Sequence, residues 1–368
     1  MKIDYLQINS RFKNLDQVRI NFDEDRLATV VVGWNGAGKS NVLEALVSIF
    51  RNLDLGESPK FAYEIKYKLG DGESETWVKV DADPARGDSA AKQYRITAAK
   101  GGEKDLFGEK NGQPIPLSKV ARNKKDGQAP YLPRHLFAYY SGPSDSLETY
   151  FKRHRTDFYR RLLRNELHLK GEIRPLFYAK PIHSQFVLLA FFLAKDNSKE
   201  LIFLKEQLGI EDLDSVHFVF RRPDWAKSAN REELFWGASG VVREFLERVL
   251  PASLAPIKIT RNEDTSLTGA SKSNEFFHLF LPDREALRAV AGDLSPDEFF
   301  KMLESTLLSE IISEVRVRVK VKNVDQALSF RELSEGEQQL LTVLGLLKFT
   351  GGKDSLFLLD EPDTHLNP

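Results

Sequence analysis

The sequence predicts an α/β protein with a core sheet, a separate antiparallel β layer and a compact, mainly helical insertion. An apolar run at 28–32 meets a glycine-rich loop and then a helical pattern, which is typical of a strand, loop and helix in a core sheet. Strand-like runs at 61–69, 76–82 and 93–98 are separated by turn residues, which indicates the antiparallel layer. Helical patterns then dominate residues 146–312.

Periodicity predicts the remaining elements in chain order. Residues 2–8 and 17–22 alternate apolar and polar side chains, which predicts a hairpin whose third partner is the strand at 28–32. Residues 136–140 form an apolar run that predicts a buried strand. Further helices are predicted at 181–195, 198–209, 239–250, 283–290 and 296–312, and further strands at 215–220, 256–260, 275–281 and 314–324.

Composition excludes several classes of protein. The 368 residues include no cysteine, which rules out disulfides, cysteine zinc sites and thiol catalysis. The net charge of −1 gives no global attraction to nucleic acid or membrane. The longest apolar run, at 186–194, is too short to span a bilayer, and the N-terminus lacks the apolar core of a signal peptide. We therefore expect a cytoplasmic protein without membrane contact.

The glycine-rich loop reads G-W-N-G-A-G-K-S-N from Gly33 to Asn41, between the predicted strand and helix. This is the pattern and the context of a phosphate-binding loop. Glycines let consecutive backbone N–H groups curl around phosphate oxygens. Lys39 is expected to reach the β- and γ-phosphates, and the Ser40 hydroxyl to ligate Mg²⁺. The residues predicted to contact ATP here are Asn35, Gly36, Ala37, Gly38, Lys39, Ser40 and Asn41.

A second segment predicts the carboxylates of the same site. The apolar run at 355–359 predicts a buried strand that ends in Asp360 and Glu361. In a protein with a phosphate-binding loop, one such carboxylate lies on the Mg²⁺ shell and the next lies near the attacking water. Asp360 is the predicted metal-side residue, and Glu361 is the predicted general base.

A third segment, L-S-E-G-E-Q-Q-L, begins at Leu333 and precedes a long apolar helix pattern. Ser334 is placed to cap that helix, and Glu337 lies where the partner of Ser334 in a capping box belongs. A helix N-terminus beside Gly336 also favours a γ-phosphate. A purely structural cap remains the alternative interpretation of Ser334 and Glu337.

Together the three segments resemble the ABC-type ATPase superfamily, in which the L-S-x-G-E signature completes the site of the opposite subunit. The resemblance implies a head-to-tail dimer with two ATP molecules sandwiched between phosphate loops and signature helices. Asn35, Asn41 and the run D-E-P-D-T-H-L-N-P from Asp360 resemble the RecF, SMC-like and OLD-like ATPases of DNA repair and anti-phage defence. The signature also resembles the PtuA-like defence ATPases. In related ATPases, basic residues placed like Arg11 and Lys13 in the N-terminal hairpin lie near the nucleotide.

The resemblance also implies a division of the chain. Residues 1–145 would form the N-terminal part of the ATPase head, 146–312 the insertion, and 313–368 the C-terminal part, which we expect to be incomplete at its end. A switch histidine, and any C-terminal nuclease, would lie beyond Pro368. The Gln-containing loop of the family should follow residues 136–140, but the sequence at 141–144 has no Gln.

Two basic segments leave the question of DNA open. Residues 152–180 hold nine cations against three anions, with aromatic residues interleaved on a helical pattern. This pattern fits an amphipathic helix with a solvated face and a polyanion-binding surface equally well. The predicted strand 314–324 alternates valines with Arg316, Arg318, Lys320 and Lys322. That row could serve DNA, but we favour protection of a sheet edge.

The leading hypothesis is an ATPase that dimerises on ATP and acts in anti-phage defence or DNA repair, with a separately encoded effector or nuclease as partner. The alternative is a nucleotide-gated regulatory scaffold that sequesters or releases a toxic effector without acting on DNA. A transport subunit is a third option, and Asn35, Asn41 and the run 363–368 argue against it.

Overall fold

The computed structural model describes residues 1–23, 26, 28–34, 36–101, 112–123, 127–140, 147–164, 166, 174–228, 234–264, 271–349 and 354–360. The chain divides into two compact units. The first unit takes residues 1–154, 174–179 and 350–362, and the second takes 155–173, 180–349 and 363–368. By this division residues 313–349 group with residues 180–312, and the predicted domain bounds at 145 and 312 stay a prediction.

The described strands are β1 (Lys2–Ile8), β2 (Val18–Asn21), β3 (Tyr63–Leu69), β4 (Thr76–Ala82), β5 (Tyr94–Lys100), β6 (Gln113–Pro114), β7 (His135–Tyr140), β8 (Leu176–Ala179), β9 (Ile210–Arg221), β10 (Leu254–Asp264), β11 (Ser271–Leu281), β12 (Ile312–Val321), β13 (Leu328–Ser329) and β14 (Ser355–Asp360). The described helices are α1 (Lys39–Leu55), α2 (Ala90–Gln93), α3 (Leu117–Val120), α4 (Glu148–Leu163), α5 (Ile182–Phe192), α6 (Lys199–Gln207), α7 (Gly240–Ala252), α8 (Arg284–Ala291), α9 (Pro296–Leu308) and α10 (Glu335–Phe349).

The first unit contains the predicted antiparallel layer. Its described strands follow the order β2-β1-β3-β4-β5-β6, and every neighbouring pair is antiparallel. Alternate side chains of β3 and β4, among them Ile65, Tyr67 and Val80, are fully buried. Alternating sequences form such sheets because successive side chains point to opposite faces. The antiparallel layer is therefore confirmed.

The apolar run at 28–32 was wrongly predicted to be a strand paired with the first hairpin. Residues 28–34 have no strand conformation, and the side chains of Val30 and Val32 are 81% and 84% exposed. The third partner of the hairpin is β3, whose residues pair with β1 from Lys2 to Ile8. An apolar run predicts an extended conformation well, but the choice of partner depends on which distant strand fills the open edge.

A parallel sheet completes the first unit, with strand order β14-β7-β8 among the described residues. The pairing runs from Ser355 opposite His135 to Asp360 opposite Tyr140. Helix α1 packs against β14 and buries Leu46, Val47 and Phe50. The strand predicted at 136–140 and the helix predicted after the glycine-rich loop are both confirmed.

The second unit contains an antiparallel sheet with the described order β10-β11-β9-β12-β13. The strands predicted at 215–220, 256–260 and 275–281 lie within β9, β10 and β11, so they are confirmed. The insertion is nevertheless less helical than predicted, because these strands are 11 or 12 residues long. They also form one sheet with β12, whose Val315, Val317 and Val319 are buried as the alternation predicted.

Helices cover the sheet of the second unit. The rings of Phe218 and Phe220 on β9 meet Phe245 on α7, edge to face. Helix α5 packs against both α9 and α10. The Nδ1 atom of His183 on α5 accepts from the Lys180 N–H. Its Nε2 therefore donates to the Glu304 carboxylate, at 2.7 Å. None of the helices in the described part of the chain combines the length and the apolar character that a bilayer-spanning helix requires.

The close contact between α10 and α5 predicts the effect of one substitution. A Cβ atom added at Gly345 would lie 2.2 Å from Val187 Cγ1, which is a steric clash. In an open helix position the change from Gly to Ala stabilises the helix by about 1 kcal/mol, so here the clash opposes the helix propensity. We expect Gly345→Ala to lower the free energy of unfolding by ~1–3 kcal/mol, measured by chemical denaturation. The double variant Gly345→Ala/Val187→Ala should recover part of that loss. A gain in stability for the single variant would show that the helices separate freely.

Candidate nucleotide site

The phosphate loop leads directly into α1, which begins at Lys39. Gly36 and Gly38 have φ angles of 82° and 96°, in the left-handed region that other residues rarely adopt. A Cβ atom at Gly38 would also lie 2.8 Å from Asn14 Oδ1 and 2.9 Å from Leu15 Cδ2. Both the backbone conformation and the lack of space therefore require glycine at position 38.

Lys39 folds back over its own loop. Its Nζ donates to the carbonyl oxygens of Gly33 at 2.7 Å and Trp34 at 3.2 Å. The Trp34 carbonyl also accepts from the Ala37 N–H at 3.0 Å, which closes the loop. The ammonium group thus lies beside the backbone that is predicted to bind phosphate, where an anionic ligand would compete with neutral carbonyls for it.

The segment between β1 and β2 contacts this loop through Asn14, a residue that the sequence analysis did not single out. The Asn14 amide donates to the Gly36 carbonyl at 2.9 Å and accepts from the Asn41 amide. Lys13 pairs with Glu44, a buried carboxylate on α1. A polar tip on a short connection is a common feature of hairpins, so the sequence alone offered no signal that singled out Asn14.

Arg11 lies in the same segment. Its side chain is exposed, and its Nε donates to the Lys13 carbonyl at 3.1 Å. The predicted contact of Arg11 with nucleotide stays a prediction.

The predicted metal-side carboxylate lies at the end of β14. Asp360 is 6% exposed and is the last residue of that strand. Because α1 packs against β14, Asp360 and the helix that carries Lys39 and Ser40 belong to the same unit. A buried carboxylate and an exposed serine hydroxyl are oxygen donors of the kind that Mg²⁺ takes alongside phosphate oxygens. The residues present therefore fit Mg²⁺.

The signature segment forms the capping box that its sequence predicted. The Ser334 N–H donates to Glu337 Oε2 at 2.9 Å, and the Glu337 N–H donates to Ser334 Oγ at 3.2 Å. Gly336 is buried in the first turn of α10, whereas Ser334 is exposed. These residues lie in the second unit, while Lys39, Ser40 and Asp360 lie in the first. A role of Ser334, Gly336 and Glu337 toward nucleotide stays a prediction.

Several predicted site residues lie outside the described part of the chain. They are Asn35 of the phosphate loop, the proposed general base Glu361, the loop at 141–144 and the run 363–368. Their predicted roles stay predictions.

The basic segment 152–180 is an amphipathic helix over its described first part. Phe151, His154 and Leu162 of α4 are buried. The His154 Nε2 contacts Asp54 Oδ2 at 2.8 Å, and Arg153 pairs with Glu57. Arg153 is thus engaged with a carboxylate, and DNA binding by this segment stays a prediction. The same holds for the row on β12, where Arg316 donates to the Glu314 carboxylate at 2.7 Å.

Comparison with known proteins places the chain in a family. A family model described as "AAA domain, putative AbiEii toxin, Type IV TA system" matches residues 28–368, which include the phosphate loop, the signature and the paired carboxylates. No curated protein matches the chain. Since the match covers more than half of the sequence, the chain belongs to the AAA_21 family, a P-loop ATPase family of ABC/RecF-like type.

Proposed function

We propose that this protein is an ATPase that binds ATP with Mg²⁺ and hydrolyses it in a head-to-tail dimer of two chains. The observation that carries the proposal is the geometry of the phosphate loop, with two left-handed glycines and Lys39 held over the loop carbonyls. Such a loop at a helix N-terminus is built for polyphosphate. The capped N-terminus of α10 supplies a second anion-binding feature, which the signature motif assigns to the opposite subunit.

The residues of this chain divide the work of hydrolysis between them. Lys39 leaves the carbonyls of Gly33 and Trp34 and pairs with the phosphates, where it stabilises charge that develops in the transition state. Asp360 and Ser40 would hold Mg²⁺, which would offset negative charge on the phosphate oxygens. Glu361 orients the attacking water and accepts its proton. Ser334 of the second copy contacts the γ-phosphate, so isolated chains hydrolyse slowly.

The biological setting that we propose is anti-phage defence or DNA repair in the cytoplasm, with a separately encoded effector or nuclease as partner. The family description names a toxin and a toxin–antitoxin system, which supports defence over the other settings. The signature and the Asp360–Pro368 run, which resemble RecF-like and PtuA-like ATPases, support the same assignment.

A second candidate function is a nucleotide-gated scaffold that restrains a toxic effector without acting on DNA. The ion pairs that engage Arg153 and Arg316 favour it, because they leave fewer cations for phosphate contacts. ATPase rates with and without duplex DNA across a salt series separate the two functions. A DNA-dependent ATPase loses its stimulation as salt rises, because phosphate contacts release counterions; a scaffold is indifferent to both.

Dimer formation can be tested with the Glu361→Gln variant, which should bind ATP but not hydrolyse it. We expect its mass in multi-angle light scattering to double when ATP and Mg²⁺ are added, because trapped nucleotide holds the two copies together. The control is Glu361→Gln combined with Lys39→Ala, which should stay monomeric. No gain in mass for the single variant would rule out the sandwich mechanism for this chain.

The two roles of Ser334 can be separated by substitution. Ser334→Ala removes the cap and should lower the free energy of unfolding by ~1 kcal/mol. Ser334→Asp should keep the free energy of unfolding unchanged, because Asp is an equally good N-cap. Both variants should lose most ATPase activity, since Ser334→Asp places a negative charge toward the γ-phosphate. Chemical denaturation and phosphate release provide the two measurements.

The matched control for these variants is Ser198→Ala. Ser198 caps α6, which lies in the same unit as Ser334, and its Oγ accepts from the Leu201 N–H at 3.3 Å. Ser198→Ala should lose a similar amount of stability and keep its ATPase activity. Full activity in Ser334→Asp would reduce Ser334 to a structural cap.

A further inference from the structure

The segment Ser10–Gln17 is a tight connection whose tip meets the phosphate loop. Phe12 and Leu15 exchange backbone hydrogen bonds at 2.8 and 2.9 Å, and both side chains are buried in the core of the first unit. Lys13 between them has a φ of 56°. This geometry leaves Asn14 at an exposed tip, where its amide contacts Gly36 and Asn41.

The orientation of the Asn14 amide follows from its partners. A backbone carbonyl only accepts, so the group that faces the Gly36 oxygen at 2.9 Å must be the Asn14 NH₂. Its Oδ1 is then left to accept from the Asn41 amide. Both hydrogen-bonding ends of Asn14 are therefore engaged with the phosphate loop and the first turn of α1.

This contact helps to fix the peptide between Gly36 and Ala37. The Gly36 carbonyl and the Ala37 N–H belong to one planar peptide group, so a partner that holds the oxygen also sets the direction of the N–H. A flip of this peptide turns ψ of Gly36 and φ of Ala37, and Gly36, which has no Cβ, allows a wide range of ψ. The bond from Asn14 adds to the resistance that the Ala37 N–H provides through its bond to the Trp34 carbonyl at 3.0 Å.

The carbonyls of the loop are also kept from any bound phosphate. Phosphate is bound by N–H groups and repelled by carbonyl oxygens. In the described part of the loop, the carbonyls of Gly33 and Trp34 accept from Lys39, and that of Gly36 accepts from Asn14. When an anion draws Lys39 away, the Gly36 carbonyl keeps its bond from Asn14, and the Trp34 carbonyl keeps its bond from the Ala37 N–H.

We propose that Asn14 is a positioning residue of the nucleotide site, which holds the phosphate loop in its binding conformation before ATP arrives. The inference rests on the proposed ATP site and adds a residue to it. Lys13, through its ion pair with Glu44, anchors the same segment to α1. Gly38 permits the close approach, since any Cβ there would collide with Asn14.

The test compares Asn14→Ala, Asn14→Asp and Ser10→Ala, each combined with Glu361→Gln, by calorimetric titration with ATP and Mg²⁺. Asn14→Ala removes both hydrogen bonds of the amide. Loss of the one that holds the Gly36 carbonyl should weaken ATP affinity about three- to tenfold. Asn14→Asp keeps the acceptor for Asn41 but faces the Gly36 carbonyl with a negative charge. We expect it to bind ATP more weakly than Asn14→Ala, with a difference that shrinks as salt rises.

Ser10→Ala is the matched control, because it removes an anchor of the same segment, the bond from the Ala62 N–H to Ser10 Oγ at 2.8 Å, without touching the phosphate loop. Its ATP affinity should stay within about twofold of that of the parent, which is Glu361→Gln alone. In a chain that keeps Glu361, Asn14→Ala should raise KM for ATP and leave kcat nearly unchanged. This is the result of losing a contact that binds the ground state and the transition state equally. Thermal unfolding shows which variants are folded; if Asn14→Ala is not, Asn14→Asp carries the comparison.

Equal ATP affinity in Asn14→Ala and the parent would overturn the proposal. So would equal losses of affinity in Asn14→Ala and Ser10→Ala, since those would reflect only the stability of the segment. Failure of the parent itself to bind ATP would instead overturn the proposed function, so the two failures are distinguishable.

Discussion

The parallel pairing of β7 with β14 is the constraint on which the first unit depends. It joins residues 135–140 to residues 355–360, although most of the second unit lies between them in the sequence. Asp354 secures the return of the chain: its carbonyl accepts from the Arg134 N–H at 2.9 Å, and its carboxylate accepts from the Gly70 N–H at 2.7 Å. This pairing positions Asp360 at the end of a strand that packs against α1, and so brings Asp360 into the same unit as Lys39 and Ser40.

The local features of the site could be predicted from the sequence because each depends on residues close together in the chain. The left-handed glycines before α1, the start of that helix and the capping box at Ser334 are properties of segments shorter than ten residues. The strict alternation of β12 likewise fixed which of its faces is buried. In each case, backbone geometry and the pairing of nearby polar groups decide the outcome.

The choice of partners could not be predicted in the same way. The run at 28–32 is as apolar as a core strand, yet β1 pairs with β3, whose buried side chains match it over the full length of the strand. The strands of the insertion were located, but their sheet with β12 spans the predicted boundary at residue 312. Asn14 was missed for the same reason, because its partners Gly36 and Asn41 lie more than 20 residues away. Such contacts depend on which surfaces meet in three dimensions.

The residues proposed to act on nucleotide already make hydrogen bonds within the chain. Ser334 Oγ accepts from the Glu337 N–H, Lys39 donates to loop carbonyls, and Asn14 donates to the Gly36 carbonyl. In the proposed mechanism a nucleotide competes with the bonds of Lys39 and Ser334, which lowers its net gain in free energy from those contacts. The bonds of Asn14 stay in place. The same bonds keep the loop ordered before binding, which reduces the entropy lost when nucleotide arrives.

The return of the chain at β14 also sets the order of events during synthesis. The first unit cannot form its parallel sheet until about 215 further residues have left the ribosome, which takes roughly 10–40 s at typical translation rates. Throughout that time, the edge of β7 that later pairs with β14 is open to other nascent chains. Residues 180–349 of the second unit leave the ribosome before β14 does, so they can begin to fold first. Because long-range contacts close slowly, we expect the pairing of β7 with β14 to form late. The strand that ends in Asp360 therefore joins the first unit only after most of the second unit has been synthesised.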